Sequence, residues 1–314
     1  MKFLRLYFTL FCKGVAMGAA DVVPGVSGGT IAFISGIYEQ LLDAIGSFNL
    51  TALKVLRTRG VAAFWQYIQG TFLSVLLSGI LLSIATFARL LTYLLNHHPL
   101  LVWGFFFGLI VASVVYIWRQ IPLRSLTCWI ALVVGTGAVM LIAFAPHLHI
   151  PEGSLPHPLY IFGAGALAIC AMILPGISGS FVLLLLGIYP VILDAVVDAN
   201  WWVLALFVAG CATGLLVFSR FLRWLLEHFY SLTLSVLTGF LVGSLVVVWP
   251  WQRLIMESRT DPGQEYAKTQ LFWPSDYAQV AGESQWLAVV GFMIVGFSLV
   301  LILEYAGGSR RDRL

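Results

Sequence analysis

Long apolar runs, each closed by a short polar or basic patch, set the rhythm of the chain. Residues 72–88, 100–118, 129–145, 202–218 and 286–303 are runs of this kind. Roughly 18 or more apolar residues in succession are enough to cross a hydrocarbon core about 30 Å thick as a helix. The pattern predicts spanning helices over about 66–95, 99–118 and 126–145, and again over about 201–227, 231–249 and 285–305. Ahead of each trio lies a stretch punctuated by Pro and Gly, at 5–46 and 159–198, which predicts a helical hairpin broken near its middle.

Composition strengthens this picture. Of 314 residues, 60% are hydrophobic and 10% charged, against about 25% charged in a soluble domain. The chain cannot cover a water-facing surface, and the fold class is an all-α polytopic membrane protein embedded in the lipid bilayer. The net charge of +3 is too small to point to nucleic acid. Cys12, Cys128, Cys170 and Cys211 lie in apolar segments without CxxC spacing, so disulfides and a metal site are not expected. Lys2 and Arg5 before an apolar stretch have the outline of a signal peptide. Lys13 interrupts that stretch, however, and the segment has a counterpart deep in the chain, so it is expected to be retained.

The counterpart is the most informative feature of the sequence. Pro24-Gly25-Val26-Ser27-Gly28 returns as Pro175-Gly176-Ile177-Ser178-Gly179, Gly36-Ile37-Tyr38 as Gly187-Ile188-Tyr189, and Leu42-Asp43-Ala44 as Leu193-Asp194-Ala195, all at an offset of 151. Ten of the 21 positions from Pro24 to Ala44 match, and Pro, Tyr and Asp are among them. A second block repeats at an offset of 131: Arg89 with Arg220, His97 with His228, Gly108 with Gly239 and Trp118 with Trp249. The first half therefore carries 20 extra residues, from Gly46 to Trp65, where Lys54, Arg57 and Arg59 among apolar residues predict a helix at about 48–60 lying on the membrane surface. The halves are expected at 1–150 and 151–314. Each is a re-entrant hairpin followed by three spans.

Basic residues favour the cytoplasmic side of short loops. With hairpins that enter and leave on one side, Lys2, Arg5 and Lys13, the Lys54–Arg59 loop, Arg119 with Arg124, Arg223, and Arg310 with Arg311 and Arg313 all fall on one face. Both termini are then cytoplasmic, and three spans per half make the repeats inverted in topology. Inverted repeats with interrupted helices are the plan of secondary transporters, whose site lies at the repeat interface near the midplane.

Each break can serve an anion. Pro24, Gly25, Pro175 and Gly176 break the helix. Beyond the first pair, residues 30–44 have the composition of one new helix. A helix start exposes unpaired N–H groups and the positive end of a dipole. Ser27, Gly28, Gly29 and Thr30 on one side and Ser178, Gly179 and Ser180 on the other form a candidate phosphate-binding set. Against this stands the plainer reading that such residues only make tight turns and close packing. The duplication favours a shared site. Arg89 and Arg220, matched across the repeats inside apolar runs, are candidate phosphate partners, or else snorkel to the head-group layer. Asp21 and Glu39 have no acidic match, facing Met172 and Pro190 in the alignment. They are candidates for a coupling proton or sodium ion, or for pairing with Arg89 or Lys13. Matched Asp43 and Asp194 lie at hairpin exits. Trp65, Trp103, Trp118, Trp201, Trp202, Trp249 and Trp251 read as an interfacial belt.

Enzyme readings are weaker. Both breaks fit the GxSG pattern of rhomboid proteases, but that chemistry needs a histidine beside the serine, and no histidine lies mid-span. No Lys/Arg/His/Asp constellation suggests a lipid phosphatase.

Ala19-Ala20-Asp21-Val22-Val23-Pro24-Gly25-Val26-Ser27-Gly28-Gly29-Thr30 and Leu174-Pro175-Gly176-Ile177-Ser178-Gly179-Ser180 resemble the paired signatures of the bacterial and archaeal polyprenyl-phosphate translocases, formerly domain of unknown function 368. The resemblance runs from Phe11 to about Tyr305. It implies a bacterial inner-membrane flippase that returns undecaprenyl phosphate to the cytoplasmic leaflet for peptidoglycan precursor recycling, with a polyprenyl phosphate lipid as its partner. No cofactor is expected from the residues. Asp21, Pro24, Gly25, Ser27, Gly28, Gly29, Pro175, Gly176, Ser178 and Gly179 carry over by motif position; Arg89 and Arg220 do not. The expected cycle is alternating access, with a proton or sodium gradient giving direction. A carrier or channel for a small soluble anion such as phosphate or sulfate is the alternative, and a scaffold without transport a weaker one. The sequence assigns no oligomeric state.

Overall fold

The computed structural model describes residues 2–21, 27–122, 124–145, 156–258 and 265–308, with side chains described in these segments except at 2–4, 87–89, 92, 254–258, 265–269 and 303–308. The first half runs through α1 (Lys2–Asp21), α2 (Gly28–Ile34), α3 (Tyr38–Gly46), α4 (Leu50–Tyr67), α5 (Gly70–His97), α6 (Pro99–Gln120) and α7 (Leu126–Ala143). The second runs through α8 (Pro158–Ile173), α9 (Gly179–Leu185), α10 (Tyr189–Val197), α11 (Trp201–His228), α12 (Tyr230–Val247), β1 (Gln252–Ser258), β2 (Glu265–Leu271), α13 (Pro274–Ala281) and α14 (Trp286–Gly308). Among the described residues, α6, α7, α11 and α12 are each long and apolar enough to cross a bilayer. The bent pairs α4–α5 and α9–α10, at 49° and 105°, raise the number to six if each is one span.

The expected single helix over 30–44 is two short ones. Gly36 takes a left-handed φ of +71°, and the amides of Gly36 and Ile37 close back onto Phe33 O and Ala32 O at 3.1 and 3.0 Å. This is a Schellman cap, which ends a helix where glycine meets no Cβ penalty. Gly187 and Ile188 close onto Leu184 O and Leu183 O in the same way. The duplicated Gly-Ile-Tyr therefore encodes a helix stop and restart.

The expected surface helix is longer than 48–60. Most of those residues fall within α4, which is capped by Asn49 accepting from Ala52 N at 3.0 Å and broken inside at Gly60. Leu50, Leu53 and Val61 are exposed along it, as are Lys54, Arg57 and Arg59. Between α12 and α14, where no element was expected, β1 and β2 pair antiparallel with Gln252 opposite Leu271. Trp249 and Trp251 donate their indole N–H groups to Phe272 O and Ser284 O, both at 2.9 Å. Trp251 is buried, so it anchors this polar cap rather than joining an interfacial belt. The loop folds over it because an indole N–H taken from water needs an acceptor.

Helix pairing recurs in the two halves. α1 packs on α5 and α8 on α11, whereas α7 packs on α12 and α14 on α6, so the third long helix of each half lies against the second of the other. Close approach depends on small residues. A Cβ at Gly108 would collide with Met293 O and one at Gly296 with Phe105 O; a Cβ at Gly239 would collide with Leu132 O and one at Gly135 with Val236 O. Gly108 and Phe105 lie 131 residues before Gly239 and Val236, and Leu132 and Gly135 lie 161 before Met293 and Gly296. The same crossing is thus built twice. Between the halves, α6 and α12 bury Ile110, Ile117, Leu234, Leu237 and Leu241 against Leu42 and Leu222. Buried Ser113, Ser235 and Thr238 return their hydroxyls to the carbonyl one turn earlier, which spares these helices an unsatisfied donor.

Candidate functional site

In the first hairpin α1 ends at Asp21 and Ser27 caps α2. Ser27 is extended, with φ −120° and ψ 138°, and its Oγ accepts from Gly29 N at 3.1 Å. Gly28 N donates to Asp21 Oδ1 at 2.6 Å. Two of the amides that were expected to greet an anion are therefore bonded within the chain, one of them to a carboxylate. Asp21 acts as a built-in anion at the start of α2. Lys13, one candidate partner for Asp21, donates to Ser35 O at 2.6 Å, at the far end of α2.

The structure brings the two breaks together. Ser27 Oγ donates to Met172 O at 2.9 Å, and Gly176 N donates to Thr30 Oγ1 at 3.1 Å. Tyr38 donates its hydroxyl to Ile173 O at 3.1 Å. A Cβ on Gly29 would approach to 2.5 Å from Ile173 O, so only glycine allows α2 to lie this close to the end of α8. Met172 O and Ile173 O belong to the last turn of α8, where carbonyls lose their helical partners. Side chains of one hairpin thus satisfy backbone groups freed by the break in the other. Tyr38 was missed by sequence reasoning. The available signal was its match with Tyr189 immediately after a glycine stop.

The second hairpin is arranged differently. Met172 stands in place of Asp21. Ser178 caps α9 in extended geometry without a side-chain cap bond, and its Oγ lies 2.8 Å from Ser180 Oγ. Ser180 is exposed, Ser178 half-buried and Gly179 buried. The recess beside Ser178, lined by Val139, Ile142, Gly176, Ile177, Phe181 and Val247 among others, measures only about 20 Å³. That admits a single water.

Arg220 lies elsewhere. Its guanidinium donates to Phe48 O at 2.6 Å and Gly46 O at 3.4 Å. A cation there suits the last carbonyls of α3 and the negative end of its dipole. No motif residue is among these partners. Glu39 is exposed in the first turn of α3, and Asp43 pairs with Arg223 at 3.0 Å. Pro24, Gly25 and the side chain of Arg89 lie outside the described residues, as do Arg310, Arg311 and Arg313. Pro175 and Gly176 are buried, and Gly176 has a φ of +85° against α12. Among the described residues, no group of three or more His, Cys, Asp or Glu is placed to hold a metal ion.

Comparison with known proteins adds an independent line. The undecaprenyl phosphate translocase-like family model matches residues 17–266. A polyprenyl-phosphate transporter of Vibrio cholerae is 43% identical over 300 residues, covering 95% of this chain and 96% of that protein. A polyprenyl-phosphate transporter of Staphylococcus aureus is 36% identical over 253 residues, covering 76% of this chain and 84% of that protein. No solved structure matches the chain. These are names of transporters, in agreement with the sequence reading against an enzyme.

Proposed function

Because the chain belongs to the undecaprenyl phosphate translocase-like family, we propose that it transports polyprenyl phosphate, moving the phosphate head group from the outer to the cytoplasmic leaflet so that the carrier lipid can be used again. The observation that carries this reading is the direct bonding of the two breaks, Ser27 to Met172 O and Thr30 to Gly176 N. Hydrogen-bonding backbone at such a break is tolerated within a membrane only where protein buries it or a wet cavity receives it.

In this reading the halves are inverted repeats, each hairpin re-entrant, in a bacterial inner membrane with both termini cytoplasmic. The paired glycine crossings support the duplication, and the run of basic loops supports the orientation. The phosphate binds where the hairpin tips meet, between Ser27, Gly28, Gly29 and Thr30 on one side and Ser178, Gly179 and Ser180 on the other. Arg89 remains a proposed partner through its matched position.

A recess of about 20 Å³ excludes phosphate from the pocket beside Ser178, so the hairpins part for substrate to enter. Parting releases Gly176 N and Met172 O for the head group and its water. Asp21 holds Gly28 N, and phosphate competes for that amide. Two anions do not share one donor at such range without a counter-charge. Asp21 therefore vacates the amide by swinging away or by taking up a proton or sodium ion, which ties the coupling ion to phosphate arrival. The prenyl tail stays in lipid, and rocking of the halves exposes the tips to the other side.

The test is transbilayer movement of labelled prenyl phosphate in proteoliposomes. Wild-type protein is expected to expose the label to an enzyme on the far side, and the Ser27→Ala, Ser178→Ala double variant to slow this by about tenfold or more, the scale of losing charge-assisted hydrogen bonds. Uptake of labelled inorganic phosphate by the same vesicles, without lipid movement, would establish the soluble-anion carrier instead.

A further inference from the structure

Beside Arg220 lies a cleft of about 610 Å³ lined by Phe48, Asn49, Leu50, Thr51, Leu216 and Arg220. It is formed by the corner between α3 and α4 from one half and by α11 from the other. Its walls are of two kinds. Phe48 and Leu50 are apolar yet 39% and 87% exposed. Asn49, Thr51 and the guanidinium supply polar groups next to them. We propose that this cleft is a second, peripheral lipid site, separate from the hairpin tips, which holds the phosphate head group of a membrane lipid against Arg220 and its chain against Phe48, Leu50 and Leu216.

Four observations support this. The two bonds from Arg220 to Phe48 O and Gly46 O fix the guanidinium in place, but carbonyl dipoles offset its charge only in part and supply no anionic partner. The nearby carboxylate of Asp43 is engaged by Arg223 at 3.0 Å, and no ion pair involves Arg220 among the described residues. Exposed Lys54, Arg57 and Arg59 continue along α4 from the same corner, a basic series that draws anionic head groups to a membrane surface. Finally, a free inorganic anion has no use for exposed Leu50 and Phe48, whereas an amphiphile satisfies both walls at once. The site does not require transport at the tips. It requires only that α4 lie at the membrane surface.

The experiment uses the full chain in phosphatidylcholine vesicles doped with labelled prenyl phosphate, with a photoreactive residue replacing Leu50. A labelled adduct is expected. It should fall by about tenfold or more in Arg220→Gln, the scale of a lost Arg–phosphate pair. It should fall similarly in Thr51→Glu, where a carboxylate suits the first turn of α4 but repels the head group. Excess inorganic phosphate should leave the adduct unchanged, and prenol, lacking the phosphate, should give none. The proposal is overturned if the adduct survives in Thr51→Glu, since loss in Arg220→Gln alone marks a purely structural arginine. It is equally overturned if prenol labels as well as prenyl phosphate, or if inorganic phosphate displaces the label. Ser27→Ala should keep the adduct even where transport stops, so this site and the one at the tips fail separately.

Discussion

Leu42 is 1% exposed, and Leu193, its match 151 residues later, is 49% exposed. Ser27 is buried with its hydroxyl bonded on both sides, whereas Ser178 is half-buried and meets only Ser180 among its described hydrogen bonds. Tyr38 is buried on Ile173 O, whereas Tyr189 is half-buried. Yet both hairpins share an extended serine at the helix start, the same Schellman stop and the same pair of short helices. Local structure follows the duplicated residues, and docking follows the ones that differ. Asp21 seals the first tip and Thr30 reaches the second break; Met172 and Phe181 in the matching places cannot do either. The first hairpin is also clamped at its exit, where α3 packs on α11 through Asp43–Arg223 and Arg220. A transporter needs parts of unequal stability, and the second hairpin is the less buried part at these matched positions.

The largest expected effect comes from removing the charge that distinguishes the tips. Asp21→Asn keeps an oxygen to accept from Gly28 N but cannot exchange a cation. Lipid-phosphate transport should drop by about 100-fold, comparable to losing a functional intramembrane acid, and the residual rate should ignore imposed proton and sodium gradients. Met172→Asn, the same substitution on the other side, should change the rate by less than about threefold. Equal losses at the two positions would dissolve the contrast between hairpins.

Packing comes next. Leu42→Ala leaves a cavity among Leu222, Tyr38 and their neighbours and should cost about 2–4 kcal/mol of unfolding free energy in mixed micelles, the usual range for a buried leucine. Leu193→Ala should cost under about 1 kcal/mol, because nearly half of that side chain already faces outward. If both cost the same, the second hairpin is as tightly seated as the first.

Much of this architecture was legible from the chain. Apolar length located the six long helices to within a few residues, and four of them, α6, α7, α11 and α12, are each long and apolar enough to cross a bilayer. Pro175-Gly176 located the second break, and the 151-residue offset pointed to Ser27 at the start of α2. The bonding of those breaks to each other was not legible. Met172 O, Ile173 O and Gly176 N become available only once α8 has ended, and which side chains reach them depends on how the hairpins dock. The sequence marks Asp21 as an ion candidate, but its bond to Gly28 N, seven residues away, was hidden for the same reason. The partners of Arg220 were not legible either, because an arginine in an apolar run predicts a need for anionic or carbonyl oxygen without saying which; its described bonds go to Gly46 O and Phe48 O. The β1–β2 hairpin escaped because Gln-Arg-Leu-Ile-Met-Glu-Ser lacks the alternation that marks a half-buried strand.

The finest distinction rests on one hydroxyl. Tyr38→Phe removes the donor to Ile173 O and keeps the ring that packs 4.9 Å from Phe33. The carbonyl then loses its described side-chain donor, a loss of about 1 kcal/mol. Tyr189→Phe should fall within about 0.5 kcal/mol of wild type, because this half-buried ring leaves its hydroxyl access to other donors and acceptors. The same pair reads out in motion. Amide exchange along residues 28–34 should quicken in Tyr38→Phe, since the bond ties the first hairpin to the end of α8, whereas residues 179–185 should exchange as before in Tyr189→Phe. If the Tyr38 variant moves neither quantity, the bond to Ile173 O does not hold the hairpins together, and the unequal seating must come from Asp21, the Ser27 and Thr30 bonds and the α3–α11 contact.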